Sequence, residues 1–196
     1  MTTLFLQNLQ QHLELFQGLS RLDDVVAKAS ATIAASLSNG GKLMICGNGG
    51  SAADSQHIAA EFTGRFIDDR RPLAALALST DTSALTCIGN DYSFAEVFAR
   101  QVRGLGRTGD VLLGISTSGN SENVLRAVHT ARECGISCIG LLGRDGGKLA
   151  PLCDVAIVVP SAVTARIQEA HILVGHTLCG AVEQALGLVG STGNCA

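Results

Sequence analysis

The chain has no tryptophan, one tyrosine and three prolines in 196 residues, and only 16% of its side chains are charged. With 46% of the residues apolar, it is not a disordered chain, which would bury too little apolar surface to offset the entropy of ordering. A net charge of −3 argues against the broad basic face that neutralising nucleic-acid phosphates demands. No apolar run approaches bilayer-crossing length. Residues 1–17 mix polar with apolar side chains and lack the basic segment and apolar block of an export signal. The expectation is a cytoplasmic protein without nucleic-acid or membrane partners.

Long charge runs, low-complexity linkers and helical-array repeats are also missing, so residues 1–196 read as one domain. The short run Asp68-Asp69-Arg70-Arg71 reads as a solvated loop. There is no C-x-x-C pair among the seven cysteines. Their odd number and apolar surroundings, as in Met44-Ile45-Cys46 and Thr86-Cys87-Ile88, suit buried, reduced thiols. Cys134 and Cys138 flank a turn into a strand and read as small core hydrophobes.

Apolar residues at helical spacing cover 3–17 and 21–38, predicting two leading antiparallel helices. Asn39-Gly40-Gly41 ends the second. Short apolar runs follow at Lys42–Cys46, Ala74–Leu78, Val111–Ser116, Ile136–Leu142 and Val155–Val159, separated by helical segments at roughly 51–66, 81–88, 93–105, 121–134 and 164–188. Such alternation predicts a three-layer α/β sandwich around a five-stranded parallel sheet with right-handed crossovers. The last residues, 190–196, read as a loose tail.

Four of the 23 glycines fall in two stretches that stand out by context. Gly47-Asn48-Gly49-Gly50-Ser51 and Ser116-Thr117-Ser118-Gly119-Asn120-Ser121 each close a strand-like run and open a helix-like one. A helix start offers unpaired N–H groups and the positive end of the dipole to an anion. Glycine permits close backbone approach, and hydroxyls add neutral donors. Neither stretch has the Gly-Lys-Ser/Thr of a P-loop, and the first lacks G-x-G-x-x-G spacing, which disfavours ATP and NAD. Taken singly, Ser51 and Ser121 read as ordinary helix N-caps. Two such turns in one small chain point to a phosphorylated small molecule held at the carboxyl ends of the strands.

His57 and Glu61 stand at i and i+4 on the helix that follows Ser51, and so share a face. Gln168 and His176 lie two i+4 steps apart on the last helix, with His171 between them. Each residue has a plainer explanation: Glu61 can pair with Arg65, and a histidine on an apolar helix is usually a hydrogen-bonded core residue. Together they offer either a carboxylate base with an imidazole acid, suited to aldose–ketose isomerisation, or a His, Glu, His zinc site with a glutamine carbonyl as fourth ligand. Spacing leaves both open.

The two hydroxyl-rich turns, with Arg166-Ile167-Gln168-Glu169-x-His171, occur in an order that resembles the sugar isomerase (SIS) domain family, closest to its phosphoheptose isomerase branch. The likeness runs from the first helix to about Val189. It implies a flavodoxin-like fold, a homotetramer with sites at subunit interfaces and one Zn2+ per subunit, with residues 1–40 forming a helical hairpin that helps assembly. The implied reaction converts sedoheptulose 7-phosphate to D-glycero-D-manno-heptose 7-phosphate for lipopolysaccharide core or other surface glycans. By this resemblance Glu61 is the catalytic base and His176 its partner acid. The metal positions are His57, Glu61, Gln168 and His176. Substrate contacts fall to Asn48, Gly49, Gly50, Ser51, Glu61, Asn90, Asp91, Ser116, Thr117, Ser118, Ser121 and Gln168. On residue chemistry alone Asn90 and Asp91 read as a turn and helix cap. The family also contains a non-catalytic member that binds the replication initiator. That reading is disfavoured by the acid at Glu61 and the imidazole at His176.

Overall fold

A computed structural model describes residues 2–189. The tail expected to be loose, and Cys195 within it, lie outside them. Two helices lead, α1 (Leu4–Gln17) and α2 (Asp23–Ser38), joined by a 3-10 turn at Leu19–Leu22. There follow β1 (Leu43–Gly47), α3 (Gly50–Thr63), β2 (Ala75–Ala77), α4 (Thr82–Asp91), a 3-10 turn at Phe94–Glu96, α5 (Ala99–Leu105) and β3 (Val111–Ser116). The chain continues through α6 (Glu122–Glu133), β4 (Ser137–Gly143), a 3-10 turn at Ala150–Leu152, β5 (Val155–Val159) and α7 (Thr164–Ala185).

The five strands are all parallel in the order β2-β1-β3-β4-β5. This is the flavodoxin-like order, whose direction reverses between β1 and β3. Period-two alternation then sorts the strand side chains between two cores. Leu43 and Ile45 of β1, Leu113 and Ile115 of β3, and Ile139 and Leu141 of β4 join α2, α3 and α7 in one cluster. Met44, Cys46, Leu112, Cys138 and Leu142 face the opposite way, toward α5 and α6. Because both faces are covered, the central strands need continuous apolar runs rather than alternation.

Among the N-terminal helices, α2 lies along α7 and buries Val26, Ala29, Ile33 and Leu37. No residue of α1 is buried, and Leu4, Phe5, Leu6, Leu9 and Leu13 are exposed. It is fastened to α7 by polar contacts: Arg166 donates to the Asn8 carbonyl, and His12 Nδ1 lies 2.9 Å from Glu169 Oε2. Leu15 and Phe16 pack against the small cluster of Val159, Ile167 and Ala170.

Several boundaries differ from expectation. The third helix stops at Thr63, because Gly64 follows and an arginine takes up the last carbonyls. That arginine is Arg70. Its side chain is buried, so the run Asp68-Asp69-Arg70-Arg71 is not simply a solvated loop. The fourth helix continues to Asp91, which places Asn90 and Asp91 in its last turn. Among the described residues, no helix is long and apolar enough to cross a membrane.

Candidate active site

Both hydroxyl-rich turns emerge from the carboxyl ends of the adjacent strands β1 and β3, on either side of the point where strand order reverses. Ligands of open α/β sheets bind in the crevice there. In the first turn Gly49 is the N-cap of α3 at φ +57°, a conformation that suits glycine. Ser51 is therefore inside the helix, 3% exposed, and makes no capping bond. Ser121 holds the N-cap position of α6 without a side-chain capping bond, and its Oγ lies 2.9 Å from that of Ser116. Neither serine is occupied by the plain capping role.

The second turn is braced from within and from behind. The Asn120 amide N–H donates to Ser118 Oγ at 3.2 Å, and Asn120 Nδ2 donates to the Ser118 carbonyl at 2.8 Å. The loop after β4 supplies two more bonds, from Lys148 N to Asn120 Oδ1 at 3.1 Å and from Leu149 N to the Gly119 carbonyl at 3.0 Å. Thr117 and Ser118 thus lie on a fixed backbone. The first turn is tied to the start of α6, which follows directly on the second turn, by Asn48 and Asn123, whose carboxamides exchange hydrogen bonds.

The ionisable residues converge where α3 runs beside α7. His57 Nε2 is 2.9 Å from His176 Nε2 and 3.5 Å from Glu61 Oε1. One ligand atom from each of His57, Glu61 and His176 lies within 4.8 Å of the others. The Phe66 ring stacks on His176 at 5.5 Å between centroids. Two imidazoles and a carboxylate suit a borderline cation such as zinc, whose tetrahedral ligands stand about 2.0–2.2 Å from the metal. The separations in this cluster bracket the spacing such a shell imposes, so the donor set fits a metal. Gln168 lies two turns earlier on α7, with its amide packed on Gly50. A Cβ at that glycine would come within 2.5 Å of Gln168 Nε2. Gln168 therefore adjoins the first turn.

Not every expected residue joins these groups. Asn90 donates to Asp91 Oδ1 at 2.8 Å, and Cys87 lies 3.4 Å from Asp91 Oδ2. The Asn90 and Cys87 contacts hold the Asp91 carboxyl below the ordinary aspartate range. Their side-chain bonds link them to one another and to neither turn.

Conversely, three residues of the region were not singled out by spacing. Asn123 is 3% exposed and links the first turn to α6. Asp54 stands one helical turn before His57 and has a buried, unpartnered Oδ2. Burial raises the Asp54 carboxyl and proximity to His57 opposes that rise. Arg70 grips the end of α3. The i, i+3 spacing of Asp54 and His57 was the one available sequence signal.

His171, flanked by Gln168 and His176 in sequence, turns away from them into the core. Its Nε2 bonds the Leu142 carbonyl at 3.0 Å, and burial pushes its pKa down to about 4 despite that bond. It is a core histidine.

Residues 5–143 match the SIS domain family model. The chain is 54% identical over 192 residues to the phosphoheptose isomerase of Helicobacter hepaticus, covering 98% of each chain. It is 63% identical over 156 residues to that of Nitratiruptor sp., covering 80% of this chain and 83% of the relative. Its fold superposes on the solved phosphoheptose isomerase of Neisseria gonorrhoeae with a TM-score of 0.86 at 50% identity, over 91% of this chain and 96% of the other. The chain belongs to the SIS domain family and, within it, to the phosphoheptose isomerases.

Proposed function

We propose that this enzyme interconverts sedoheptulose 7-phosphate and D-glycero-D-manno-heptose 7-phosphate in heptose synthesis, with the two hydroxyl-rich turns holding phosphate and the Glu61–His176 region handling protons. The convergence of Glu61 and His176 from distant parts of the chain carries this reading. His57 follows Gly50 by seven residues on α3, about 10 Å at 1.5 Å per residue. An extended heptose spans about eight bonds from C1 to phosphorus, which at about 1.2 Å per bond is also roughly 10 Å. A phosphate seated at the helix start thus brings C1 and C2 toward the His57 level.

In the ketose-to-aldose direction Glu61 takes a proton from C1, and O2 gains a proton as the C1–C2 enediol forms. Return of a proton to C2 and loss of the O1 proton leave the aldehyde. His176 carries the proton between the two oxygens. Asn48, Gly49, Gly50 and Ser51, with Ser116, Thr117, Ser118 and Ser121, hold the anionic end, and Gln168 orients the chain beside Gly50. Zn2+, one per subunit, would be held by His57, Glu61 and His176 with Gln168 as a fourth donor. When bound, it supplies Lewis-acid polarisation of the substrate oxygens.

The exposed apolar stripe of α1 supports assembly into a homotetramer through residues 1–40. Asn90 and Asp91, bonded only to near neighbours on their own helix, fit a site completed by an adjacent subunit. The initiator-binding alternative is not favoured, because the acid and imidazole are both present and the relatives are named as isomerases. The deciding experiment is an assay of a panel of sugar phosphates, run before and after chelation and with light-scattering mass measurement. Turnover of the heptose and no other sugar, lost on chelation and regained with Zn2+, is expected of a tetramer. No turnover of sedoheptulose 7-phosphate under any metal loading would end the reading.

A further inference from the structure

Arg70 and Glu183 form an ion pair in which each side chain is 2% exposed, with Arg70 Nε donating to Glu183 Oε1 at 2.7 Å. Burying two charges costs several kcal/mol per ion before compensation, and apolar replacements are often equally stable. Stability alone therefore gives little reason for such a pair, and the destinations of its other donors are informative. One terminal nitrogen of Arg70 donates to the carbonyls of Phe62 and Gly64, each at 2.8 Å, and the other to the carbonyl of Glu61 at 2.6 Å. These are carbonyls that the end of α3 leaves without helical partners, and the cation sits at the negative end of the helix dipole.

Glu183 makes the complementary connection. It lies on α7 seven residues after His176, two turns along the same face. Its Oε1 also accepts from the Phe66 N–H at 3.3 Å, and the Phe66 ring is the one stacked on His176. A single buried pair thus holds the main chain of Glu61, the helix bearing His176 and the aromatic ring against which His176 rests.

We propose that Arg70 and Glu183 are positioning residues, a clamp that sets the separation of Glu61 from His176. The inference rests on the isomerase reading of those two residues. A misplacement of about 1 Å at reacting groups can cost about 100-fold in rate. Loss of the clamp therefore lowers kcat while leaving KM near its original value, because the phosphate-holding turns at the other end of α3 are untouched.

The test compares Arg70→Met, Arg70→Lys and Glu183→Gln with Val128→Ala, a core truncation on the opposite face of the sheet. Steady-state kinetics on sedoheptulose 7-phosphate are paired with imidazole 15N spectra of the metal-free proteins. In Arg70→Met and Glu183→Gln, kcat falls about 10- to 100-fold with little change in KM. The His57 and His176 signals shift while those of His171, bonded to Leu142, stay put. Lysine keeps the charge opposite Glu183 but lacks the planar fork that reaches several carbonyls, so Arg70→Lys recovers only part of the loss.

Folded Arg70→Met with the kcat and imidazole signals of the unaltered protein overturns the clamp. Full recovery in Arg70→Lys, or an equal kcat loss in Val128→Ala at matched Tm, also overturns it. Should Arg70→Met fail to fold, Glu183→Gln and Arg70→Lys carry the same comparison. If the unaltered protein does not turn over the heptose, the isomerase reading fails, and the imidazole spectra still decide whether the clamp holds the two helices in register.

Discussion

The carboxamides of Asn48 and Asn123 exchange two hydrogen bonds of 2.8 Å, tying the turn after β1 to the first coil of α6. Both partners use a donor and an acceptor on each other, so removing one strands the remaining amide. Such a loss in a largely buried place costs about 1–3 kcal/mol. Asn123→Ala is expected to lower stability by that amount in urea titrations. It should also raise KM for the sugar phosphate more than it lowers kcat, since the turns lose mutual register while Glu61 and His176 are undisturbed. An unchanged KM would show that each turn holds its shape independently.

Glu61→Gln preserves shape and a hydrogen-bonding oxygen but removes the base. General acid–base catalysis contributes roughly 100- to 10,000-fold, and kcat should fall within that span while the folding transition moves little. Because Glu61 lies 3.5 Å from His57 Nε2, the same substitution is expected to weaken Zn2+ binding, read by competition with a chromophoric chelator. A variant that keeps most of its turnover would remove Glu61 from the proton path.

Much of this arrangement was legible in the sequence, for identifiable reasons. Continuous apolar runs such as Leu112-Leu113 and Ile139 to Leu142 mark strands covered on both faces. The i, i+4 spacing puts His57 and Glu61 on one face whatever the tertiary context. What stayed hidden depends on contacts between residues far apart in the chain. Asn123 and Arg70 sit in stretches whose composition suits solvent, and only their partners, 75 and 113 residues away, keep them buried. Asn90 and Asp91 were suggested by resemblance alone, and within one chain their side-chain hydrogen bonds reach neither turn.

Gly119 offers a test of how rigid the second turn must be. Its φ is +66°, and an added Cβ would come within 2.1 Å of the Gly146 carbonyl oxygen. The left-handed conformation costs a side-chain-bearing residue about 1–2 kcal/mol, and overpacking adds about 1–3 kcal/mol. Gly119→Ala is therefore expected to lose roughly 2–5 kcal/mol of stability and to raise KM as the loop behind the turn moves. Gly40→Ala is the control. At φ +77° with nothing within 4 Å of the added Cβ, it should lose only the conformational part, with no change in KM. Equal losses in the two variants would mean that the Gly146 contact yields without cost.

His171 makes the fold sensitive to acid. It is fully buried, its Nε2–H donates to the Leu142 carbonyl, and its pKa is lowered from 6.5 to about 4. The neutral ring suits the core, whereas an unfolded chain protonates the same ring near pH 6.5. Between these values the unfolded state binds more protons, so stability rises with pH across the window and is lost as pH falls from about 6.5 toward 4. A shift of this size corresponds to about 3 kcal/mol when fully expressed. Urea midpoints measured from pH 7 to pH 4 should fall progressively, and His171→Gln should flatten that slope even though it starts from lower stability. A steep slope retained in His171→Gln would move the acid sensitivity to other groups.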